Sequence, residues 1–303
     1  SPAQTSTTAP AGVSDSVPPP SDGQMDLFGT AVSPAEVPAG SDAASTAHTY
    51  TLLDSLPAIH MLARKLSEQK AFCFDTETTS LSVVEAELVG MSFSYRKAEA
   101  FYVPFPENKE ECQKQVDLFK EIFANEAIQK IAQNIKYDMS VLANYGIEIK
   151  GDIYDTMLAH YLIEPEKRHN MDAMSMSYLN YEPMSIESLI GKKGIKQGNM
   201  RDADLMAVKE YAAEDADITL QLKHIFEPEL ERLGLVKLFH EVENPLVNVL
   251  SNKEREGVKI DVKALNDFSV LLGKDIGVME KKIHEAAGVN FNIASPKQMG
   301  DVL

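Results

Sequence analysis

The chain has 303 residues, of which 44% are hydrophobic, and its formal net charge is −17. This length allows one large domain, or one domain and part of another, and every apolar run is too short to cross a bilayer, which argues against a membrane-spanning protein. The acidic balance argues against binding of nucleic acid by a general basic surface, because phosphates attract Lys and Arg. A protein that gathers carboxylates around metal ions can still bind nucleic acid at that one site.

Cysteine usage and the first residue bear on where the protein resides. Cys73 lies in an apolar run and is expected to be a buried small hydrophobic residue, and Cys112 is the only other cysteine. Two lone cysteines fit a reducing compartment, so we expect a cytoplasmic protein without a disulfide. The chain begins with Ser1, and no charged-then-apolar segment follows, which indicates a fragment rather than a secreted protein.

The predicted elements begin after a long polar segment. Residues 1–45 are rich in Ser, Thr, Ala, Pro and Gly, and we predict a disordered linker because they cannot bury enough apolar area to offset the entropy of ordering. Order is expected to begin near Tyr50. Residue patterns then predict a helix at 55–69, strands at 71–76, 88–95 and 100–104, and helices at 110–125, 140–145, 156–163 and 202–222. This succession predicts an α/β fold with a mixed central sheet flanked by helices.

The sequence changes in character from Pro228 onward. An amphipathic helix is predicted over 229–256, a turn or short strand over 256–261, and another helix over 263–287. We therefore expect a domain boundary within 226–240. The second unit ends at Leu303 inside a helical pattern, as a truncated domain would.

Two carboxylates mark the end of the first predicted strand of the α/β unit. Asp75 and Glu77 are two residues apart, so on a strand they project from the same face. Two such charges about 4 Å apart repel by roughly 4 kcal/mol at an effective dielectric near 20, and a cation between them removes that repulsion. Oxygen ligands of this kind suit Mg²⁺ or Mn²⁺. Alternatively, the pair is simply two solvated acids at a strand end.

Two further motifs place acids on predicted helices. Asp138 closes the sequence Gln-Asn-Ile-Lys-Tyr-Asp at a helix start, where the helix dipole alone favours an acid. Tyr211 and Asp215 are four residues apart and share one helix face, so the phenol and the carboxylate together can hold a water beside a metal. The alternative for the second pair is a buried tyrosine beside an exposed acid.

Taken together, Asp-x-Glu, Asn-x-x-x-Asp and Tyr-x-x-x-Asp resemble, in order and spacing, the three motifs of the proofreading 3'→5' exonuclease family. The resemblance implies an RNase H-like fold, two Mg²⁺ (or Mn²⁺) ions, and hydrolysis of a DNA 3' end to 5' mononucleotides. It implies that Tyr211 and Glu77 orient the attacking water. The implied metal ligands are Asp75, Glu77, Asp138 and Asp215.

The segments 243–261 and 292–298 resemble the start of the polymerase domain and part of the thumb in the bacterial DNA polymerase I family, family A. This resemblance implies an exonuclease domain at 46–228 and a truncated N-terminal part of a polymerase domain at 229–303, without the polymerase active site. It also implies a parent protein that acts in DNA replication and repair.

The resemblance also implies contacts to a single-stranded DNA 3' end. Leu81 aligns with a leucine that wedges against the terminal base, although a core leucine after a strand is an equal alternative. Arg168 is a candidate phosphate contact, with His169 beside it. Further contacts to sugar, phosphate or base are expected from Gln133, Asn134 and Tyr137.

Two features of residues 186–198 bear on the same surface. The loop 191–198 carries three lysines that would give an electrostatic rim or simply a solvated surface: Lys192, Lys193 and Lys196. The family often has an aromatic residue near the position of Ile186, so base stacking is not expected at that point.

One apolar island interrupts the N-terminal linker. Residues 24–28 resemble the short peptide by which bacterial proteins dock onto the replication sliding clamp, although a five-residue match also arises by chance. A disordered segment would present Leu27 and Phe28 to a pocket, while Gln24 hydrogen-bonds the rim.

Two other functions remain open at this point. An RNA-trimming exonuclease of the same superfamily would share the motifs, but the polymerase-like residues 243–303 speak against it. A non-catalytic binding module would keep the fold and lose the acids, whereas all four acids and Tyr211 are present here.

Overall fold

The computed structural model describes residues 40–192, 194 and 197–303, and its six strands form one mixed sheet in the order β1-β4-β3-β2-β5-β6. The strands are β1 (Thr49–Leu52), β2 (Ala71–Thr78), β3 (Leu88–Arg96), β4 (Glu99–Pro104), β5 (Gln129–Ala132) and β6 (Ile153–Asp155). Strand β3 pairs antiparallel with β2 and β4, whereas the β1–β4, β2–β5 and β5–β6 pairs are parallel. The predicted α/β fold with a mixed sheet is confirmed.

Twelve helices accompany the sheet in the described part of the chain. They are α1 (Leu56–Ser67), α2 (Lys109–Val116), α3 (Lys120–Phe123), α4 (Ile135–Asn144), α5 (Thr156–Ile163), α6 (Met171–Leu179), α7 (Glu187–Ile190), α8 (Leu205–Arg232), α9 (Val236–Leu238), α10 (Asn244–Glu256), α11 (Val262–Ala287) and α12 (Pro296–Val302). No helix within the described residues is both long enough and apolar enough to cross a bilayer.

The central strand β2 divides the core because successive side chains point to opposite faces of a sheet. Phe72 and Phe74 pack on one side with Phe123 of α3, their rings meeting edge-on at centroid distances of 5.7 and 4.9 Å. Cys73 belongs to the core on the other side, with α8 residues such as Phe226. The same alternation brings Asp75 and Glu77 to the α8 side, which is where a helix can add a further ligand.

Several short elements were missed by the sequence patterns. Strands β1, β5 and β6 have only three or four residues, too few to show a period of two. In β5 the fully buried Lys130 breaks the apolar run, and its Nζ donates to the backbone carbonyls of Asn125 and Lys150 at 2.5 and 2.7 Å. Helix α6 was also missed, and the predicted helix at 110–125 is broken by a 3₁₀ turn at Asp117–Phe119.

The start of α4 and the end of α8 also differ from prediction. Helix α4 begins at Ile135 rather than at 140, so Asp138 lies in its first turn. Helix α8 continues through Pro228 to Arg232. The single predicted helix at 229–256 is wrong, because the chain turns at Gly234, whose φ of 70° favours glycine, and passes through a π-helical turn at Phe239–Glu243 before α10.

Ser41, near the start of the described residues, and helix α10 contact the rest of the fold, whereas helix α11 near the C-terminus is exposed along nearly all its length. Ser41 lies in the predicted linker but pairs with Tyr181, its backbone N–H donating to Asn180 O at 2.9 Å. Helix α10 packs on α4, where the hydroxyls of Ser140 and Ser251 are 2.9 Å apart. Helix α11 confirms the predicted helix at 263–287, and none of its residues is buried.

Candidate active site

The C-terminal end of β2 and the middle of α8 bring three carboxylates together. Asp75, Glu77 and Asp215 each offer an oxygen, and these oxygens all lie within 4.8 Å of one another. Glu77 and Asp215 are buried, and Asp75 keeps a partial opening to the cleft. Glu77 stands opposite Gly90 of β3, and a bulge follows between Glu77 and Thr78. The prediction that Asp75 and Glu77 project together is thereby confirmed.

Burial and mutual repulsion disfavour charge on this cluster. Burial raises the pKa of Asp75 to about 7. Burial first, and then the charges of neighbouring carboxylates, raise the pKa values of Glu77 and Asp215 well above their ordinary range. No lysine or arginine among the described residues forms an ion pair with any of the three. Within residues 40–192 and 197–303, therefore, no basic side chain compensates the charge of the cluster.

One oxygen of the cluster is left without a protein partner. Glu77 Oε1 is buried and accepts no hydrogen bond from any residue that the structure describes. Buried polar atoms are normally paired, so an orphaned carboxylate oxygen beside two other acids fits a cation ligand. The donor set, consisting only of carboxylate oxygens, suits a hard divalent ion.

Asp138 approaches the cluster from α4 but is not one of the three convergent acids. Its Oδ1 accepts hydrogen bonds from the backbone N–H and the hydroxyl of Thr76, at 3.1 and 2.5 Å. Burial and then the charge of Asp75 raise the pKa of Asp138, and both residues line the same cleft. One of the two Asp138 oxygens is thus already engaged by β2.

The position of Asp138 depends on a buried acid that the sequence reading missed. Asp155 accepts hydrogen bonds from the backbone N–H groups of Asn134, Ile135, Met157 and Leu158, at 2.9–3.3 Å. It caps α5 and at the same time fixes the left-handed turn at Asn134, whose φ is 57°. An Asp directly before a helix pattern is an N-cap signal, so the cap was open to prediction, but its hold on α4 was not.

Helix α8 is itself held in place by acids on either side of Asp215. Glu214 accepts from the Tyr181 hydroxyl and the Met184 N–H, both at 2.6 Å. Asp217 accepts from the Tyr50 hydroxyl at 3.0 Å and the Ala98 N–H at 2.8 Å. These contacts turn the intervening Asp215 toward the β2 acids.

Tyr211 lies one turn before Asp215 and lines the same cleft. Burial, followed by the negative charge of Asp215, raises the pKa of the Tyr211 phenol. The hydroxyl therefore stays protonated at neutral pH and remains available as a hydrogen-bond donor.

The acids lie in an open cleft of about 590 Å³. Four residues predicted as DNA contacts line it: Leu81, Gln133, Asn134 and Tyr137. Leu81 is 89% exposed, so it is not a core leucine. The Tyr137 hydroxyl donates to Ser80 O at 2.7 Å, which ties α4 to the loop that carries Leu81.

The other predicted surface residues are distributed differently. Ile186 lines the cleft together with Gln197 and Gly198 of the predicted rim loop 191–198, and with three residues that sequence reasoning missed, namely Ile190, Asn199 and Met200. Arg168 is exposed on a neighbouring loop and is absent from the cleft lining, and the exposed Lys192 is absent from it too. Lys193 and Lys196 lie outside the described residues, as do Gln24, Leu27 and Phe28.

A mixed sheet whose central strand and covering helix bring acids together in an open cleft agrees with the predicted RNase H-like fold. Residues 50–231 match the model of a family described as 3'-5' exonuclease, and the chain belongs to that family. The family and the carboxylate cluster together indicate use of a divalent metal ion and a nucleic-acid substrate.

Comparison with known proteins gives one sequence relative and two solved structures of note. DNA polymerase I of Pseudomonas aeruginosa is 36% identical over 250 residues, which are 79% of this chain and 27% of that polymerase. The chain thus spans about a quarter of the length of this relative. The POL domain of Pol1 from M. smegmatis, in complex with DNA primer-template and dNTP, aligns with a TM-score of 0.65 at 20% identity, over 84% of this chain and 40% of that one. Brucella melitensis NrnC with bound Mg²⁺ aligns with a TM-score of 0.55 at 20% identity, over 72% of this chain and 98% of that one. Both structures share the fold.

Proposed function

We propose that this chain removes nucleotides one by one from DNA 3' ends, releasing 5' mononucleotides, as the proofreading part of a DNA polymerase I that acts in replication and repair. The observation that carries the proposal is the buried group Asp75, Glu77 and Asp215, in which Glu77 Oε1 has no partner among the described residues. The similarity to DNA polymerase I of P. aeruginosa supports DNA as the substrate.

Two Mg²⁺ (or Mn²⁺) ions are part of this proposal. Asp75, Glu77 and Asp215 would hold one ion, and Asp138 with Asp75 would hold the second. When bound, such ions activate a water for attack and stabilise the charge on the leaving 3' oxygen. NrnC, which shares the fold, was solved with bound Mg²⁺, and this supports the choice of metal.

Protein groups around the acids would orient the reactants. The Glu77 carboxylate would accept a hydrogen bond from the attacking water through the oxygen that does not hold the ion, and the Tyr211 hydroxyl would donate one, so the water would be held in a single orientation beside the phosphodiester. Leu81 at the mouth of the cleft wedges against the terminal base. Asn134 and Tyr137 contact the sugar and phosphate of the last nucleotides.

The test is a cleavage assay on 5'-labelled single strands of DNA and RNA with Mg²⁺. The protein is compared with Asp75→Ala/Glu77→Ala and with a control pair of exposed acids, Glu107→Ala/Glu121→Ala. We expect a ladder of shortened DNA from the wild type and the control, and none from the cluster variant. A ladder that persists in the cluster variant refutes the assignment of the site, and a stronger ladder on RNA than on DNA refutes DNA as the substrate.

We also propose the domain organisation that the sequence predicts. Residues 46–228 form the exonuclease domain, and residues 229–303 form the first part of a polymerase domain. The match of the exonuclease family to residues 50–231 supports the position of the boundary. Within residues 46–303, limited proteolysis should cut between the two parts at the exposed turn around Gly234.

The island at residues 24–28 is proposed to dock the chain onto a bacterial sliding clamp. A peptide of residues 20–32 should bind the clamp, with Leu27 and Phe28 entering an apolar pocket and Gln24 bonding its rim. The same peptide with Leu27→Ala and Phe28→Ala should not bind. Absence of binding by the native peptide at high micromolar concentration removes this proposal.

A further inference from the structure

The loop 164–170, which carries Arg168, is tied to the floor of the cleft through Gln133. The side-chain carbonyl of Gln133 accepts a hydrogen bond from the Thr156 hydroxyl, and its Nε2 donates to the backbone carbonyl of His169 at 2.8 Å. Both ends of this amide are therefore engaged by protein. Gln133 holds the residue next to Arg168, although Arg168 itself does not line the cleft.

A second bond holds His169 through its side chain. Nδ1 of His160 on α5 lies 2.7 Å from Nδ1 of His169. His160 is 1% exposed, and its ring lies against Phe226 at a centroid distance of 5.3 Å and edge-on to Tyr178 at 5.4 Å. The packing fixes the His160 ring, so the hydrogen bond fixes His169.

The surroundings of His160 determine where its proton lies. Its Nε2 is buried and has no hydrogen-bond partner among the described residues. A buried N–H without an acceptor is costlier than a buried lone pair without a donor, so the proton belongs on Nδ1. With this tautomer His160 donates to Nδ1 of His169, and the proton of the partly exposed His169 sits on its Nε2.

We propose that His160 is a positioning residue, which fixes the loop 164–170 through His169 and thereby holds Arg168 for contact with a substrate phosphate. The inference rests on the proposed nuclease function. Arg168 is exposed and forms no ion pair or side-chain hydrogen bond with any described residue, so its guanidinium is available to an anion. An exposed arginine on an untethered loop would lose more conformational entropy on binding, so the tether improves affinity rather than the chemical step.

Two substitutions separate the shape of His160 from its hydrogen bond. His160→Phe keeps a ring against Phe226 but cannot donate, whereas His160→Asn places an amide donor near the position of Nδ1 and does not titrate. With 5'-labelled single-stranded DNA and Mg²⁺, we expect His160→Phe to raise KM about fivefold, the usual effect of one lost hydrogen bond, with little change in kcat. His160→Asn should restore KM, and the exposed His60→Phe serves as the matched control.

A double-mutant comparison identifies Arg168 as the group that the tether serves. If His160 acts through Arg168, His160→Phe should add nothing to the KM of Arg168→Ala. An equal fivefold rise in both backgrounds overturns the inference, and so does an unchanged KM in His160→Phe.

A binding measurement keeps this inference distinct from the proposed function. Fluorescence anisotropy of a labelled single strand gives the same comparison of affinities without cleavage. If the protein binds the strand but does not cleave it, the nuclease proposal is refuted and the comparison of His160 variants stays valid. If it neither binds nor cleaves the strand, both the nuclease proposal and the His160 inference are overturned. If His160→Phe unfolds in a thermal scan, His169→Phe removes the same hydrogen bond from the more exposed side and should give the same rise.

Discussion

Replacing Asp75 by Asn removes one charge from the carboxylate cluster and should stabilise the metal-free protein. Asp75 is held next to Glu77 and Asp215 with no ion pair to any lysine or arginine in the described part of the chain. Its ionised form is therefore destabilising in the folded state. The amide of Asn has nearly the same shape and carries no charge.

The magnitude follows from the pKa of Asp75, which burial raises from its ordinary 3.8 to about 7. One pKa unit corresponds to about 1.4 kcal/mol, so the ionised side chain costs the folded state at most about 4 kcal/mol above pH 7. Because Asp75 keeps a partial opening to the cleft, the true cost lies below this limit. For a protein of this size, the gain in Tm is on the order of 10 °C.

The dependence on pH has a definite sign. A raised carboxyl pKa means that the folded state binds more protons than the unfolded state between about pH 4 and pH 7, so the metal-free protein loses stability as the pH rises through that window. The gain from Asp75→Asn should therefore be absent at pH 4 and complete at pH 8.

Thermal unfolding in EDTA at several pH values measures this gain directly, with the exposed Asp275→Asn as the control. Added Mg²⁺ should raise the Tm of the wild type and change that of Asp75→Asn much less, because the variant has lost a ligand. If Asp75→Asn is no more stable than the wild type at pH 8 in EDTA, or if its gain is the same at pH 4, the view of the cluster as uncompensated charge is wrong.

Three further substitutions test other parts of the site. Asp155→Ala leaves four backbone N–H groups without their acceptor, so it should lower the free energy of unfolding in urea by about 3 kcal/mol and lower the exonuclease rate. As the control, Asp204→Ala removes a helix cap that accepts only two hydrogen bonds and should cost about 1 kcal/mol. Equal costs for the two variants would mean that Asp155 does not hold the start of α4. Leu81→Ala should change stability by less than about 0.5 kcal/mol, because the side chain is 89% exposed, and should raise KM for single-stranded DNA; an unchanged KM would exclude a wedge. Gly90→Ala should destabilise the protein by about 1–3 kcal/mol in the same urea assay, because the new Cβ would meet the Tyr102 hydroxyl at 2.2 Å; a neutral effect would mean that the buried ring can move aside.

The parts of the fold that the sequence predicted are those with a repeated pattern. Strand β3 has nine residues and its apolar character was visible, whereas β5 has four, including a buried lysine, and was missed. The Asp-x-Glu pair was assigned to one strand face because the alternation of a strand requires it. The Asp138–Thr76 bond could not be predicted, since it depends on how α4 meets β2, and no local pattern encodes that meeting.

Helix α8 shows why a carboxylate's role is decided by its partners and not by its identity. Within four residues it carries Glu214, Asp215 and Asp217, all buried. Glu214 and Asp217 each accept two hydrogen bonds from outside the helix, which offset part of the cost of burying them, and they serve as anchors. Asp215 faces Asp75 and Glu77 instead, and after burial their charges do most to raise its pKa, an effect that the Tyr211 hydroxyl only partly opposes and that a bound cation would relieve. The two anchors tie α8 to the segments around Tyr181 and Tyr50, and they thereby hold Asp215 beside Asp75 and Glu77.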